Sequence, residues 1–245
     1  MTELLFRDDA FLRDCTANVV AINDRGGIIL DRTVFYATAG GQPGDKGEIS
    51  WDGGRADIAT AVYDENKDVV HVAAAGAKLP PNGAMVRAVL DWDNRYRNMR
   101  AHTLMHLLCA CVPFPVTGGA INEDGGRIDF DIPEGGIPVK QELSQQLNRL
   151  ITEDHAVSFR WISDEEMEEN QHLIRTMSVK PPKGTGRVRL VMIGEDGKVD
   201  LQPCGGTHLR STAAIGTVTV AKIENKGKIN RRIRVTFVEE AAHEQ

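Results

Sequence analysis

The sequence has no apolar run that approaches the roughly 18 residues a membrane-spanning helix needs. It also lacks a basic leader, because its first residues, Met-Thr-Glu-Leu-Leu-Phe-Arg-Asp-Asp, are acidic where a secretory signal would be positively charged. These absences predict a soluble, cytoplasmic protein with no membrane partner.

Cysteine is scarce, and the spacing of the four cysteines is not that of a disulfide framework. A chain of 245 residues can bury a core of its own and does not need disulfides for stability. We therefore expect at least one of the thiols to be free to bind a metal, among Cys15, Cys109, Cys111 and Cys204.

An overall positive charge is absent as well, since the formal net charge is −6. This net charge argues against a protein that binds nucleic acid over its whole surface, because Lys and Arg make the phosphate contacts. Basic residues are nevertheless concentrated in two segments on either side of Cys204, namely Arg175, Lys180, Lys183, Arg187 and Arg189, and then Lys222, Lys226, Lys228, Arg231, Arg232 and Arg234. Solvated loops and hairpin faces explain either cluster alone. The two clusters together favour a polyanionic partner.

Hydrophobic periodicity and turn signals divide the chain into two predicted domains. In residues 1–92, short strands separated by polar turns such as Asn23-Asp24-Arg25-Gly26 predict a small antiparallel β-barrel. From Arg95 the apolar residues recur at helical spacing, so we place the boundary near residue 92. Residues 93–245 combine helices, one with a capping-box start at Ser163, and strands that include a hairpin at 225–227. The predicted fold class is α+β, with helices packed on an antiparallel sheet in the second domain.

Two pairs of potential metal ligands stand far apart in the sequence. His102 and His106 are one helical turn apart, and Cys204 and His208 lie in Pro-Cys-Gly-Gly-Thr-His. Each pair alone has an ordinary explanation, as two satisfied polar histidines or as a buried cysteine beside a turn residue. Together they offer the four ligands that Zn²⁺ prefers, so a zinc site is the favoured interpretation.

Several zinc chemistries are excluded by residues that the sequence lacks. A zincin-type protease needs Glu directly after the first His, where this chain has Thr103. A nucleobase deaminase needs Glu where Leu104 stands and Cys where Thr207 stands. A zinc finger needs repeated close cysteine spacing, which is missing. Three roles for the zinc stay open: a structural role, a hydrolytic role and the orientation of a substrate.

A glycine-rich segment in the first domain runs from Thr33 to Gly47. Aromatic residues followed by glycines suggest a strand end that leads into a loop whose backbone can closely approach a ligand, although an ordinary barrel turn is the alternative. The segment lacks the Gly-Lys-Ser/Thr ending of a phosphate-binding loop, so no ATP is expected.

Four motifs can now be compared with known families: His-Thr-Leu-Met-His-Leu at 102–107, Arg-Ile-Asp-Phe at 127–130, Cys-Gly-Gly-Thr-His at 204–208 and Phe-Tyr-Ala-Thr-Ala-Gly-Gly-Gln-Pro-Gly-Asp-Lys-Gly at 35–47. Over nearly the whole chain they resemble the AlaX proteins, free-standing relatives of the editing domain of alanyl-tRNA synthetase. The ligand pairs are shared with the editing domain of threonyl-tRNA synthetase. The Gly-Gly-Gln loop on a β-barrel is typical of the alanyl branch and of its medium-length members.

This resemblance implies a trans-editing hydrolase, an aminoacyl-tRNA deacylase that cleaves the ester of tRNA(Ala) misacylated with serine, with glycine as a second candidate amino acid. It implies Zn²⁺ held by His102, His106, Cys204 and His208. The chain lacks the catalytic core of the synthetase and is not expected to charge tRNA. It also has Gly118-Gly119-Ala120 where the synthetase editing domain has a Gln-containing loop, so the role of that Gln is not carried over.

Further site residues are predicted around these ligands. Thr103 and Thr207 are candidate catalytic residues that make polar contacts near the amino acid, and Asp129 is a candidate for orienting a ligand histidine. The substrate-binding candidates are Gly40, Gly41, Gln42, Arg231 and Arg232. Four protein ligands saturate a tetrahedral zinc, so whether the metal activates water or orients the substrate stays open.

Two other functions stay open on the sequence alone. One is a non-catalytic module that binds tRNA or protein and has a structural zinc. The other is an editor of Ser-tRNA(Thr), because the ligand pairs are common to both editing domains.

Overall fold

The computed structural model describes residues 1–133, 135–174 and 186–238. The chain divides into two compact units, Met1–Met99 and Arg100–Gln245. The predicted domain boundary near residue 92 falls at the first residue of a helix, and the units divide within that same helix. In the described ranges, none of the helices has the length and apolarity required to cross a membrane.

The first unit is built around a closed barrel of six antiparallel strands. Its strands in chain order are β1 (Glu3–Leu4), β2 (Asp14–Ile22), β3 (Ile28–Leu30), β4 (Arg32–Thr33), β5 (Gly47–Trp51), β6 (Gly54–Tyr63), β7 (Val69–Ala73) and β8 (Met85–Leu90). The barrel order is β2-β3-β7-β6-β5-β8, while β1 and β4 form a short parallel pair beside it. Alternate side chains point inward, as in Ala17 and Val19 of β2, so one face of each strand fills the core. The predicted barrel is confirmed.

A buried histidine lies inside this barrel. The ring of His71 contacts the carbonyl oxygen of Ile28 through Nδ1 at 2.9 Å and the hydroxyl of Thr33 through Nε2 at 2.8 Å. Burial lowers the pKa of His71 to about 4, so the ring is neutral at physiological pH. With both nitrogens satisfied and Phe35 packed against the ring, His71 is part of the core.

The second unit places helices on antiparallel sheets. Its elements are α1 (Trp92–Cys111), which begins in the first unit, followed by β9 (Val116–Asn122), β10 (Gly125–Asp131), α2 (Lys140–Thr152), β11 (Val157–Ser163), α3 (Asp164–Glu169), β12 (Arg187–Ile193), β13 (Asp200–Pro203), β14 (Val218–Asn225) and β15 (Asn230–Phe237). One sheet has the order β14-β15-β10-β9 and the other β11-β12-β13. The predicted α+β class is therefore confirmed.

Two local predictions in this unit are confirmed by the backbone contacts. Glu166 N–H donates to the Ser163 hydroxyl, and Ser163 N–H donates to the Glu166 carboxylate, which is the predicted capping box at the start of α3. Strands β14 and β15 pair antiparallel across the predicted hairpin.

Helix α2 buries Leu143, Leu147 and Ile151, because these residues recur along one helical face.

Candidate metal centre

Two histidines of α1 lie on one face because they are four residues apart, about one helical turn. The ring centroids of His102 and His106 are 5.4 Å apart. The ring of His208, from a distant loop, lies 4.4 Å from that of His102 and 4.6 Å from that of His106. Only 9% of His102, 5% of His106 and 5% of His208 is exposed. Three imidazoles therefore meet in one nearly buried space.

The loop after β13 supplies Cys204 and His208. Hydrogen bonds to β12, the strand that pairs with β13, hold this loop in place. The Arg189 guanidinium donates from Nη1 to the carbonyl oxygens of Cys204 at 3.2 Å and Gly206 at 3.0 Å. The Cys204 N–H donates in turn to the Arg189 carbonyl oxygen at 3.0 Å. These bonds fix the start of the loop, and with it the direction of the Cys204 thiol.

Two of the donor distances suit a tetrahedral metal ion. Cys204 Sγ lies 3.5 Å from His102 Nε2 and 3.4 Å from His208 Nε2. A tetrahedral ion bonded at about 2.3 Å to sulfur and about 2.0 Å to nitrogen would place those two donors roughly 3.5 Å apart. One donor atom from each of the residues His102, His106, Cys204 and His208 lies within 4.8 Å of all the others. The cluster can therefore hold a metal ion.

A carboxylate on β13 orients His106. Asp200, which is 2% exposed, accepts a hydrogen bond from His106 Nδ1 at 2.8 Å and another from Gln202 Nε2 at 2.8 Å. Because a carboxylate accepts, the proton of His106 lies on Nδ1, and Nε2 is left to face the cluster. The second Asp200 oxygen, Oδ1, is buried without a hydrogen-bond partner in the described part of the chain.

Sequence reasoning missed Asp200 and Gln202, although the strand pattern offered a signal. Asp200, Gln202 and Cys204 alternate along one stretch of chain, so they share one face of β13 and its continuation. Polar residues at alternate positions before a ligand cysteine are therefore candidates for hydrogen bonds to the site.

Neighbouring groups shift the pKa values within the cluster in both directions. Burial alone would raise the pKa of the Cys204 thiol, but electrostatic attraction and hydrogen bonds from the surrounding imidazoles, with His102 the largest contributor, hold it well below its usual range. Burial alone would lower the pKa of His106, but the hydrogen bonds to Asp200 and Cys204 raise it to about 10. Burial and the charge of His102 lower the pKa of His208. The thiolate form of Cys204, the form that binds metals, is thus favoured.

The predicted catalytic residues occupy two different places. The Thr103 hydroxyl is fully buried, accepts the Leu209 N–H at 3.1 Å and lies 3.4 Å from His208 Nδ1. Thr207 is fully buried in the same loop as the ligands. Asp129 lies on β10, where its carboxylate accepts hydrogen bonds from Arg232 at 2.7 Å and Arg127 at 3.0 Å. The three catalytic roles stay predictions.

The predicted substrate loop of the first unit is a tight turn. Ala39 and Gln42 exchange backbone hydrogen bonds, and Gly40 and Gly41 between them have φ values of 56° and 82°. Positive φ at both central positions is typical of a type I′ turn, which glycine adopts without strain. Gly40 and Gly41 are exposed, whereas Gln42 is buried. Their contact with a substrate stays a prediction.

The predicted arginines of β15 have protein partners in the structure. Arg231 is 8% exposed and donates to the carbonyl oxygen of Gly227 in the hairpin turn and to that of the adjacent Asn230, both at 3.0 Å. Arg232 forms a two-point ion pair with Asp129. In the other basic cluster, Arg187 and Arg189 lie on β12, while Arg175, Lys180 and Lys183 lie outside the described residues. Substrate binding by Arg231 and Arg232 stays a prediction.

Known proteins are similar to this chain in sequence over nearly its full length. Residues 8–94 match the family model described as tRNA synthetases class II (A), and residues 188–234 match the threonyl and alanyl tRNA synthetase second additional domain. The alanyl-tRNA editing protein AlaX-M of Methanosarcina acetivorans is 34% identical over 251 aligned positions, which cover 98% of this chain and 100% of that protein. The chain belongs to the AlaX-M family of alanyl-tRNA editing proteins. The predicted family is confirmed.

Two longer proteins contain a region similar to this AlaX-M chain. The alanyl-tRNA editing protein AlaX-L of Pyrococcus horikoshii is 31% identical over 96% of the chain and 58% of its own length. The alanine–tRNA ligase of Pyrobaculum neutrophilum is 32% identical over 91% of the chain and 25% of its own length. The same sequence region thus occurs as a free-standing protein and within larger ones.

Proposed function

We propose that this AlaX-M protein hydrolyses the ester bond of tRNA(Ala) misacylated with serine, with glycine as a second candidate amino acid. The observation that carries the proposal is the convergence of His102, His106, Cys204 and His208 in a chain similar over its full length to alanyl-tRNA editing proteins. The ester of the misacylated tRNA would lie beside this cluster.

The metal in the proposed site is Zn²⁺. Three imidazoles and one thiolate form a donor set that zinc prefers, and the sulfur–nitrogen distances of 3.4 Å and 3.5 Å suit its bond lengths. When bound, zinc supplies a Lewis acid that can polarise a carbonyl, lower the pKa of water or orient a substrate group.

The residues of the chain around the donors have separate tasks in this proposal. Asp200 holds the Nδ1 proton of His106, so that Nε2 faces the cluster. Thr103 orients His208 from the opposite ring nitrogen and fixes the following residue through its backbone N–H. Arg189 fixes the loop that carries Cys204. These contacts hold the donors in place before the substrate arrives, which reduces the reorganisation needed during the reaction.

Selectivity requires that correctly charged alanine be spared. Serine differs from alanine by one hydroxyl, and a site built to hydrogen-bond that hydroxyl can reject the analogue that lacks it by about 10⁴ to 10⁵. Thr103 and Thr207, both adjacent to ligands in the sequence, are the proposed source of polar contacts near the amino acid. The discrimination would then arise within the same buried cluster.

The proposal is tested by hydrolysis of Ser-tRNA(Ala) and of Ser-tRNA(Thr) with the wild-type chain and two cysteine variants. Cys204→Ala removes the only sulfur donor of the four-residue cluster, whereas Cys111→Ala changes a half-buried thiol that is not part of the cluster. We expect loss of Ser-tRNA(Ala) hydrolysis in the first variant and retention in the second.

Two results would contradict the proposal. Preferred hydrolysis of Ser-tRNA(Thr) by the wild type would assign the protein to the other tRNA. Loss of cooperative folding in Cys204→Ala, together with no hydrolysis by the zinc-loaded wild type, would favour a non-catalytic module with a structural metal.

A further inference from the structure

One face of the sheet β11-β12-β13 packs on an apolar cluster, and the other face carries aromatic and arginine side chains beside the buried residues Val191 and Ile193. Ile162, Val188 and Leu190 belong to a buried cluster on the apolar face. Trp161 is paired with Arg189, and side chains two residues apart share a face, so four residues lie together on the opposite side: Phe159, Trp161, Arg187 and Arg189. We call these four residues the aromatic–arginine row.

Within the aromatic–arginine row each guanidinium lies over a ring. Arg187 Cζ is 4.2 Å from the ring centroid of Trp161, and Arg189 Cζ is 4.3 Å from that of Phe159. These are cation–π contacts, which hold flat charged groups and flat rings in layers. Phe159 is 36% exposed, Arg187 is exposed and Trp161 is half-buried. The layered groups therefore reach the surface at β11, which is an edge strand of its sheet.

The same face of the sheet continues to the metal centre. Gln202 is paired with Val191 and Asp200 with Ile193, so the residues that orient His106 lie on the face of the row. Arg189 joins the two regions directly, because its guanidinium stacks on Phe159 and also donates to the carbonyl oxygens of Cys204 and Gly206. From β11 to β13 there are two interstrand spacings, about 10 Å.

We propose that the aromatic–arginine row binds the unpaired nucleotides at the 3′ end of the tRNA. This rests on the proposed function, since the ester that would be cleaved is carried by the 3′-terminal nucleotide. Unpaired nucleotides present flat base faces and negative phosphates, and aromatic rings interleaved with arginine offer a partner for both. A nucleotide strand that lies on the row ends beside the loop of Cys204, where its terminal ester is required.

The test measures the affinity of the protein for two forms of labelled tRNA(Ala), neither of which carries an amino acid. Fluorescence anisotropy reports the binding, at one fixed low salt concentration. One RNA is intact and the other is trimmed of its unpaired 3′ nucleotides. The variants are Trp161→Leu, which removes the ring, and Arg187→Ala, which removes an exposed guanidinium. The matched control is Arg160→Ala, since Arg160 is also exposed on β11 but lies on the opposite face.

We expect the wild type to bind the intact tRNA more tightly than the trimmed one. Trp161→Leu should weaken binding of the intact tRNA by on the order of 10-fold, in line with the loss of one base-stacking contact. Arg187→Ala should act in the same direction, and neither variant should change the affinity for the trimmed RNA. Arg160→Ala should bind both RNAs as the wild type does.

Equal affinity of the wild type for the two RNAs would overturn the proposal. So would unchanged binding of the intact tRNA in Arg187→Ala, a result that would favour a protein partner for this face. Should Trp161→Leu fail to fold in thermal unfolding, the exposed Arg187→Ala decides the question. The assay needs no hydrolysis, so failure of the row is distinguishable from failure of the editing reaction, which serine release measures.

Discussion

At the scale of single residues, Asp200 supports the candidate metal centre without being one of its donors. It is buried and accepts the Nδ1 proton of His106, so it selects the ring nitrogen that faces the donors. Carboxylates in this position commonly strengthen metal binding by orienting the ligand imidazole and raising its basicity. The geometry of the centre therefore depends on a residue that is not itself a donor.

Replacement of Asp200 tests this dependence. Asp200→Asn should weaken Zn²⁺ binding by about 10- to 100-fold, because an amide is a poorer acceptor for the His106 proton. Competition with a chromophoric zinc chelator measures the affinity. Asp196→Asn, the same change at an exposed position two residues before Lys198, is the control and should bind zinc as the wild type does. Equal zinc affinity in Asp200→Asn and the control would contradict this role.

His71 makes the stability of the barrel depend on pH. Its pKa is lowered to about 4 in the folded chain, compared with about 6.5 when unfolded. Between these values the unfolded state binds a proton that the folded state does not, so stability is full above about pH 6.5 and falls as the pH drops toward 4. The loss from this residue is at most about 3.5 kcal/mol.

This pH dependence is measured by urea unfolding at pH 7 and pH 5. His71→Gln keeps hydrogen-bonding groups but removes the titration, so the wild type should lose more stability between the two pH values than the variant. The comparison uses the change with pH within each protein, because the substitution also alters the absolute stability. The same pH dependence in both proteins would show that His71 contributes none of it.

At the scale of elements, a buried ion pair joins the glycine-rich segment to the first turn of α1. Asp45 and Arg95 are both fully buried, and Arg95 Nε lies 3.1 Å and 3.0 Å from the two carboxylate oxygens. Asp45 also accepts the Tyr36 N–H at 2.6 Å, and Arg95 Nη2 donates to the Val34 carbonyl oxygen at 2.6 Å. The segment that follows the Gly40-Gly41 turn is thereby fixed within the first unit.

Breaking one side of this pair should be costly. Asp45→Asn leaves the Arg95 charge buried without its counter-charge, and we expect a loss of about 3 to 5 kcal/mol in the free energy of unfolding. Asp57→Asn, an exposed carboxylate on β6, should change that free energy by less than about 0.5 kcal/mol. Chemical denaturation measures both. A comparable small loss in the two variants would mean that the pair does not anchor the segment.

Much of this architecture could be predicted from local sequence. Alternating strands with polar turns predicted the barrel, and Ser163 with Glu166 predicted the start of α3, because both signals act between near neighbours in the sequence. The four donors could be found since each pair has a compact spacing of its own.

The long-range contacts could not be predicted. Asp45 and Arg95 meet because β5, which follows Asp45, pairs with β8, which precedes α1. Trp161 meets Arg189 only through the register of β11 and β12. The sequence did not indicate Asp200, which makes the contact with His106. Asp129 contacts Arg232, and its role in orienting a ligand histidine stays a prediction. The register of the strands, and not the composition of the chain, determines which carboxylate contacts which histidine or arginine.

At the scale of the whole molecule, the formal charge of −6 argues that RNA binds to a limited part of the surface. The cations of β15 are engaged with the protein, as in Arg232 with Asp129 and Arg234 with Glu224. The layered rings and guanidiniums of β11 and β12 instead lie on the sheet face that leads to Cys204. The proposed recognition of the tRNA 3′ end therefore combines stacking with a few positive charges beside the metal centre.

Serine editing is tested most directly by the rate of serine release from Ser-tRNA(Ala), measured beside alanine release from Ala-tRNA(Ala) with purified, zinc-loaded protein. We expect fast loss of serine while alanine is spared, because the buried cluster would recognise the serine hydroxyl near the scissile ester. Absence of hydrolysis of either substrate by a folded, zinc-loaded sample would contradict serine editing, as would equal hydrolysis of both.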